Sequence, residues 1–178
     1  MSRIRTATPE DAARIAEIYR PYVENTAVTF ETVPPDEAEM RARIVEHLKA
    51  YPYLVMEEDG RVIGYAYAGA FHERVAFRPT VELSVYMDAA FRGAGRGEAL
   101  VRELLARLRA DPRYFVAMAV IVHPNPPSER LFERLGFEAV GRYENVGWKL
   151  GAWRSVYDYL LRLKPEVETP DMNERRRK

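Results

Sequence analysis

The chain has 178 residues, of which 47% are hydrophobic and 30% are charged, so it is long enough to bury the core of one domain. Its 27 basic side chains are matched by 27 acidic ones, which argues against a dedicated nucleic-acid-binding protein. Because the chain has no cysteine, disulfides and thiolate metal sites are excluded.

The ends of the chain carry no targeting or membrane signal. The first residues, MSRIRTATPEDAARIAEIY, lack the apolar run of a secretory signal peptide, and no uncharged apolar stretch reaches membrane-spanning length. We therefore expect a cytoplasmic protein without a membrane partner. The tail PEVETPDMNERRRK has too little apolar content to fold stably, so we expect one domain over 1–164 and a flexible, solvated tail over 165–178.

Two helices are predicted in the first part of the chain. The residues TPED at 8–11 have the pattern of a helix start. Apolar side chains then recur at helical spacing, at Ala12, Ile15, Ile18 and Tyr22. A second helix follows Pro34-Pro35, and Met40, Ile44 and Leu48 form its apolar face. The segment between the helices, NTAVTFETVP, is a polar and aromatic loop.

The middle of the chain predicts three strands. YLVMEEDGRVIGYAYAGAF has the pattern of a β-hairpin with Asp59-Gly60 at its turn. In the next strand, TVELSVYM, apolar and polar residues alternate. Val81, Leu83, Val85 and Met87 share one face of this strand, and Glu82, Ser84 and Tyr86 share the other.

The rest of the chain alternates helices and strands after a glycine-rich loop, FRGAGRGEAL. A helix with an apolar stripe at Leu100, Val101, Leu104, Leu105 and Leu108 runs to Asp111-Pro112. RYFVAMAVIV is predicted to be a strand that is buried on both faces, PPSERLFERLG a short helix, and the segments on either side of KLGAW the last strands. The order predicts one mixed α/β domain.

The glycine-rich loop suits a pyrophosphate. Loop amides between a strand and a helix start converge on one spot, where the helix dipole adds positive charge, and Arg92 and Arg96 flank that spot. A tight turn that merely needs glycine is the alternative. A P-loop is excluded because Gly97 is followed by Glu-Ala rather than Lys-Ser or Lys-Thr. A dinucleotide fingerprint is excluded because Glu98 takes the position of its last glycine or alanine.

The remaining pattern, Arg92-x-x-Gly95-x-Gly97, resembles the pyrophosphate loop of the GNAT N-acetyltransferases, Q/R-x-x-G-x-G/A. NPPSERLFERLGF is similar to the second coenzyme motif of that superfamily, and TVELSVYM to its central strand. GYAYAG, YPYLVMEEDG and KLGAWRSVYDYLL are similar to its phosphinothricin and methionine sulfoximine acetyltransferase branch. The resemblance runs from Ile4 to Leu163 and implies a single GNAT-like domain, with a mixed, mostly antiparallel central sheet flanked by helices.

The resemblance implies acetyl-CoA as co-substrate. The backbone of three residues on the central strand would pair with the pantetheine arm, the loop amides would hold the pyrophosphate, and Asn125 would hydrogen-bond the pantetheine near Ser128. A helix N-cap is an equally good interpretation of Asn125. The implied coenzyme-binding residues are Val85, Tyr86, Met87, Arg92, Gly93, Ala94, Gly95, Arg96, Gly97, Glu98, Asn125 and Ser128.

Glu82 is the candidate general base, since an amine that attacks a thioester must first lose the proton of its ammonium form. A solvated strand carboxylate is the alternative, and the resemblance favours catalysis because related enzymes carry an acid at this position. An amino-acid acceptor also needs a cation for its carboxylate, and Arg74 matches the arginine of the branch's substrate loop. The substrate-binding residues implied are Phe30, Glu31, Arg74, Val75, Ala76 and Phe77. Arg78 is interpreted as a surface residue.

Other side chains have structural interpretations. His47, His72 and His123 lack the spacing of a metal site, so no metal is expected. Aromatic residues near the end of the chain are interpreted as core or dimer-interface residues, namely Tyr143, Trp148 and Trp153. A homodimer is implied by the branch alone.

The chain departs from the family pattern at two positions. Phe132 lies where many members carry a tyrosine that protonates the leaving thiolate, so the thiolate leaves unaided or is protonated by water or Tyr86. Leu150 replaces a histidine of the phosphinothricin enzymes, which puts phosphinothricin in question as the substrate.

The function predicted from these residues is transfer of acetyl from acetyl-CoA to the α-amine of a small amino acid or analogue. Methionine sulfoximine, methionine sulfone and phosphinothricin are acceptors of this type. The alternatives are acetylation of a peptide or protein N-terminus and a non-catalytic acetyl-CoA-binding module.

Overall fold

A computed structural model describes residues 2–166, 168–170 and 172. Most of the tail from 165 on, including its RRRK end, lies outside these residues, so its expected flexibility stays a prediction. The strands are β1 Ser2–Thr6, β2 Tyr53–Glu58, β3 Arg61–Ala70, β4 Thr80–Met87, β5 Val116–His123, β6 Glu138–Lys149 and β7 Ala152–Arg162. The α-helices are α1 Ala12–Asn25, α2 Glu37–Leu48, α3 Arg96–Ala110 and α4 Pro126–Arg134.

The strands form one seven-stranded sheet in the order β1-β2-β3-β4-β5-β7-β6. The β4–β5 pair is parallel and the other neighbours are antiparallel. The predicted mixed, mostly antiparallel α/β fold is therefore confirmed. The edge strand β1 was not predicted, because Ile4 is the one apolar residue in SRIRT and a single residue gives no alternating pattern.

A separate apolar core lies on each face of the sheet. On one face, the α3 stripe that includes Leu100, Leu104 and Leu108 packs against Val81 and Leu83 of β4, as the alternation of β4 predicted. On the other face, α1 and α2 pack on β2 and β3 around a cluster of tyrosines. β4 therefore contacts a different core on each of its faces. Glu82, Ser84 and Tyr86 point to the face covered by α1, α2 and the tyrosines, which we call the tyrosine side.

The parallel pairing of β4 with β5 ends early. The two strands are paired only at Thr80↔Val116, Val81↔Ala117 and Glu82↔Met118, although β4 continues to Met87 and β5 to His123. Beyond Glu82 the strands diverge, so the second half of β4 has a partner only in β3. This divergence opens a cleft in the middle of the sheet.

Both hairpin turns have the backbone that a two-residue turn of type I′ requires. Asp59 and Gly60 join β2 to β3 with φ of 50° and 77°, as predicted, and Leu150 and Gly151 join β6 to β7 with φ of 52° and 70°. None of the described helices is long and apolar enough to span a membrane.

One burial prediction is wrong, and for three aromatic residues one of the two predicted alternatives, the core, is excluded, while the dimer interface stays a prediction. Val120 of β5 is exposed because it faces the cleft, so β5 is not buried on both faces. Tyr143, Trp148 and Trp153 are not core residues, since they lie on the β6–β7 hairpin at the sheet edge, and the exposed fractions of Trp148 and Trp153 are 60% and 59%.

The α3 face sets the stability of the fold. Leu104 is fully buried in the larger core, so we expect Leu104→Ala to lower the free energy of unfolding by about 2–5 kcal/mol, the range for large-to-small core substitutions. Val45 lies on the exposed side of α2, and Val45→Ala should change it by less than about 0.5 kcal/mol. Urea denaturation of both variants measures the difference, and equal effects would show that the α3 face is not the core.

Candidate active site

The cleft between the diverging ends of β4 and β5 forms a cavity of about 430 Å³. One wall is the second half of β4, another is β5, and the glycine-rich loop and the start of α4 close one end. Thr26 and Val28, which follow α1, border the cavity as well. Of the predicted coenzyme residues, it is lined by Val85, Tyr86, Met87, Arg92, Gly93, Gly95, Arg96, Gly97, Glu98, Asn125 and Ser128.

The glycine-rich loop turns through left-handed backbone before α3 begins. The φ angles of Gly93, Ala94 and Gly95 are 85°, 49° and 72°, which favours glycine and makes Ala94 an unusual occupant. The first hydrogen bond with helical spacing in α3 runs from the Ala99 N–H to the Gly95 C=O at 2.9 Å. The amides of Gly97 and Glu98 precede it and have no partner within the helix. The loop and the start of α3 line one end of the cavity, a geometry that suits an anion, and pyrophosphate binding there stays a prediction.

The charged side chains of this loop already interact with other residues of the chain. Arg96 forms an ion pair with Glu58 at 3.0 Å, and the Arg92 guanidinium lies over the Tyr22 ring, 4.8 Å from its centroid. Hydrogen bonds from Arg102 and Arg134 lower the pKa of Glu98. Glu98 forms ion pairs with both arginines, so their positive charges offset its own at this end of the cavity.

Fewer backbone groups of β4 are free to pair with a ligand in the cleft than the sequence predicted. The Asp88 N–H donates to the Ile63 C=O of β3 at 2.9 Å. In an antiparallel pair, every second residue bonds the partner strand, so the Tyr86 amide also faces β3. The amides of Val85 and Met87 therefore face the cleft. The Met87 N–H and C=O are both bonded to the Tyr22 hydroxyl, at 3.2 and 2.6 Å. Val85 is therefore the one predicted backbone position among the three that still faces the cleft unpaired.

Asn125 stands at the N-cap of α4, but its side chain makes no capping hydrogen bond. Its backbone N–H donates instead to Glu129 Oε1 at 2.8 Å. The capping interpretation is therefore wrong for the side chain, which borders the cavity with Ser128 and is available to a ligand.

Glu82 lies where β4 and β5 separate. It is the last residue of β4 paired with β5, and its other neighbour is Gly69 of β3. Burial raises the pKa of Glu82 above the usual range, and the negative charge of Asp158 raises it further. The structure thus places a partly buried carboxylate with an elevated pKa at the base of the cleft, although Glu82 is not among the residues lining the cavity.

Asp158 is a second carboxylate that the sequence analysis missed. It lies on β7, paired with Val120 of β5, and only 9% of its surface is exposed. The alternation of β5 places Met118 and Val120 on one face, so Asp158 and Glu82 share the tyrosine side of the sheet. An aspartate inside the apolar run SVYDYLL was the available signal, since a charge in a core strand is rarely structural.

The tyrosine cluster stands beside Glu82 and borders the cleft. Tyr86 packs edge-on to Tyr19 and Tyr22 and stacks on Tyr65, with centroids 4.9 to 5.3 Å apart. Burial raises the pKa of Tyr86 well above its usual value, and that of Tyr67 is raised by burial and by the Glu82 charge. Tyr86 is therefore a protonated phenol at neutral pH.

The loop residues Phe30 and Glu31 have different environments. Phe30 is 41% exposed and rests on β6. Both carboxylate oxygens of Glu31 are bonded to Arg43, at 2.8 and 2.9 Å, and one of them also to the Tyr19 hydroxyl. Burial alone would raise the pKa of Glu31, but these hydrogen bonds outweigh it and lower the pKa. Glu31 is therefore an anchor of the loop, which the sequence did not indicate.

Arg74, Val75, Ala76 and Phe77 lie away from the cavity lining. Val75–Phe77 form one 3-10 turn just before β4, with Arg74 as its N-cap, and all four residues are exposed. Arg74 makes no ion pair with any of the residues that the structure describes. The structure therefore leaves their predicted role in substrate binding untested.

The remaining candidates are structural. Phe132 is buried and packs edge-on to Phe137 at 5.0 Å, so it borders the cavity with a hydrocarbon ring that cannot donate a proton. His47 Nδ1 contacts the Arg43 C=O, His123 pairs with Glu129, and His72 is exposed beside Phe77. Within the described residues, no three His, Asp or Glu side chains are placed to hold a metal ion.

The sequence matches the family model described as an acetyltransferase (GNAT) domain over residues 4–157. It is 39% identical to a phosphinothricin N-acetyltransferase of Alcaligenes faecalis, over 84% of this chain and 77% of the relative. It is 37% identical to an L-methionine sulfoximine/L-methionine sulfone acetyltransferase of Pseudomonas aeruginosa, over 94% of this chain and 98% of the relative.

A solved structure has the same fold and a coenzyme bound. The GNAT superfamily phosphinothricin acetyltransferase of Sinorhizobium meliloti, in complex with acetyl-CoA, superposes with a TM-score of 0.91 at 39% identity. The superposition covers 95% of this chain and 92% of the other. The chain therefore belongs to the GNAT acetyltransferase family and is an N-acetyltransferase.

Proposed function

We propose that this enzyme transfers acetyl from acetyl-CoA to the α-amine of a small amino acid or amino-acid analogue. The observation that carries the proposal is Glu82, a carboxylate with an elevated pKa at the point where β4 leaves β5. The relatives named for phosphinothricin and methionine sulfoximine support the acceptor class.

The residues that line the cavity suit the pyrophosphate and pantetheine parts of the coenzyme. The amides from Gly93 to Glu98 would hold the pyrophosphate, with Arg92 beside them. The free backbone edge at Val85 would pair with the pantetheine arm, and the uncapped Asn125 side chain would bond one of its amides. Arg96 would contribute to phosphate binding by leaving its ion pair with Glu58.

Acetyl-CoA supplies an acetyl group as a thioester, and the chain must supply an amine without its extra proton. Glu82 would take this proton from the acceptor's ammonium, directly or through one water. Its elevated pKa makes it a better base than an ordinary carboxylate. The amine nitrogen then bonds to the acetyl carbon and the carbon–sulfur bond breaks.

The thiolate would leave unaided or be protonated by water or by the Tyr86 phenol, since Phe132 cannot donate. Tyr86 borders the cavity and is protonated at neutral pH. Arg74 would bind the acceptor's carboxylate, because an exposed guanidinium without an ion-pair partner in the described structure can form a bidentate contact with it.

The direct test is release of free thiol from acetyl-CoA with a panel of amines. Methionine sulfoximine, methionine sulfone, phosphinothricin, the twenty amino acids and a short peptide separate the alternatives. Turnover with the amino-acid analogues and not with the peptide supports the proposal. Turnover with the peptide alone would make the enzyme a peptide N-acetyltransferase, and acetyl-CoA binding with no turnover would indicate a binding module.

Replacing the proposed base tests its role. We expect Glu82→Gln to lower kcat by about 10²–10⁴-fold at neutral pH, because general base catalysis contributes that much, while the Kd for acetyl-CoA is unchanged. Thiol release and calorimetry measure the two quantities. Glu103→Gln, on the surface of α3, is the control and should keep full activity. Full activity of Glu82→Gln would exclude Glu82 as the base.

The pH profile tests the electrostatic environment of Glu82. Activity needs ionised Glu82, so it should fall as the pH drops through a pKa that lies above the usual value of 4.5. Asp158→Asn removes a negative charge that raises this pKa, so the acid limb of kcat/KM should move to lower pH. Asp11→Asn removes an equally buried carboxylate, paired with Arg5, and should leave the limb in place. An unmoved limb in Asp158→Asn would show that the limb is not set by Glu82.

The edge of the sheet supports the homodimer of the branch. The exposed apolar side chains of β6 and its hairpin are Val140, Tyr143, Val146, Trp148, Leu150 and Trp153. An edge strand with such a surface pairs with another chain unless something covers it. We propose that a second copy of this chain covers it, with the β6–β7 hairpin in the dimer interface.

A charge in this surface should break the dimer. Trp148→Glu is expected to convert the dimer to a monomer in sedimentation equilibrium, because a carboxylate in an apolar interface is desolvated without a partner. The exposed Val33, on the α1–α2 loop, serves as control, and Val33→Glu should leave the mass unchanged. A monomeric parent chain would refute the proposed interface.

A further inference from the structure

The loop between α1 and α2 borders the cleft and then crosses to the far edge of the sheet. We call residues 26–31 the acceptor loop. Its first part, at Thr26 and Val28, lines the cavity, and it continues directly into Phe30 and Glu31. Glu31 accepts a hydrogen bond from Tyr19 of the tyrosine cluster, so the end of the loop lies on the same side of the sheet as Glu82.

Helices hold the loop on one side. The Tyr19 hydroxyl is hydrogen-bonded to Thr29 Oγ1 at 2.7 Å and to Glu31 Oε1 at 2.9 Å. Arg43 of α2 makes the bidentate pair with Glu31. These contacts fix the two ends of the Thr29–Glu31 segment against α1 and α2, but they do not touch the Phe30 ring.

The β6–β7 hairpin holds the loop on the other side. Lys149 Nζ donates to the Thr29 C=O at 2.8 Å, although the two residues are 120 positions apart. Only 5% of Lys149 is exposed, and a lysine so deeply buried costs free energy unless its ammonium is bonded. The bond to Thr29 gives the Lys149 ammonium a partner and ties the end of the hairpin to the loop.

The Phe30 ring lies directly on Gly147. A Cβ atom added at Gly147 would overlap three atoms of this ring, so only glycine accommodates the ring there. The register of β6 with β7 shifts between Tyr143 and Gly147, and Asn145 within the shift has a φ of 54°. Bulges re-aim the strand that carries them, and this one precedes the two residues that contact the loop.

We propose that Gly147 and Lys149 are positioning residues for the acceptor: they fix the acceptor loop from the sheet edge and thereby set where Phe30 stands beside the amine. The inference rests on the proposed function and adds a specificity role for the hairpin. Gly147 and Lys149 act through the loop, so they should affect the KM for the acceptor and leave coenzyme binding unchanged.

The Gly147 contact is tested with a double-mutant cycle. Gly147→Ala should displace the Phe30 ring and raise the KM for the amino-acid acceptor roughly tenfold, since small misplacements in a site have large effects. In a Phe30→Ala background, the same substitution should have no effect, because the overlapping ring is gone. Thiol-release kinetics give the acceptor KM of the parent, the two single variants and the double variant. An equal effect of Gly147→Ala in both backgrounds would overturn the proposal.

The Lys149 contact is tested with a matched lysine. Lys149→Met should raise the acceptor KM several-fold, and Lys149→Arg, which can still donate to Thr29, should restore most of it. Lys164 also donates to a backbone carbonyl, that of Asp111, far from the loop. Lys164→Met should leave the acceptor KM unchanged. An unchanged acceptor KM in Lys149→Met, or an equal rise in Lys164→Met, contradicts the proposal.

These experiments distinguish failure of this inference from failure of the proposed function. If the parent enzyme acetylates no amino-acid analogue, the proposed function fails, whatever the variants do. In that case the thermal melting of the four proteins of the cycle still measures the Phe30–Gly147 coupling. If the parent is active and the cycle shows no coupling in acceptor KM, the inference fails and the proposed function stands.

Discussion

The early end of the β4–β5 pairing is the constraint on which the site depends. Pairing to the ends of both strands would close the sheet and bury Val120. Because the pairing stops at Glu82↔Met118, one divergence creates the proposed coenzyme cavity and leaves the Val85 backbone without a strand partner on that side. It also places the proposed base, Glu82, at the base of the cleft. The glycine-rich loop then lies at the end of β4, where α3 directs its amides to the same opening.

The two carboxylates near the point where β4 and β5 diverge come from strands that are distant in sequence. β4 supplies Glu82 and β7 supplies Asp158, so the like charge that raises the pKa of the base comes from the opposite side of the cleft. The acceptor loop is joined to α2 by the Glu31–Arg43 pair and to the hairpin by Lys149. The proposed acceptor site is therefore held by both halves of the sheet.

Local patterns in the sequence predicted the elements well, because they depend on neighbouring residues. The α3 stripe, the Asp59-Gly60 turn and the glycine-rich loop have such patterns, and the structure confirms them. The single apolar residue of β1 gave no pattern. The anchoring of Glu31 by Arg43, the closure of the Met87 edge by Tyr22 and the contact of Phe30 with Gly147 are tertiary contacts. No spacing rule reveals them, which is why the sequence did not indicate that Glu31 anchors its loop.

The most direct measurement of the central claim is a crystal structure with CoA and the acceptor analogue methionine sulfone bound together. The account predicts the pyrophosphate on the amides of Gly93 to Glu98 and the thiol at the point where β4 and β5 diverge. It also predicts the amine nitrogen within reach of Glu82, directly or through one water, with Phe30 beside the acceptor. An amine on the α3 side of the sheet, or one whose nearest titratable group is not Glu82, would contradict it.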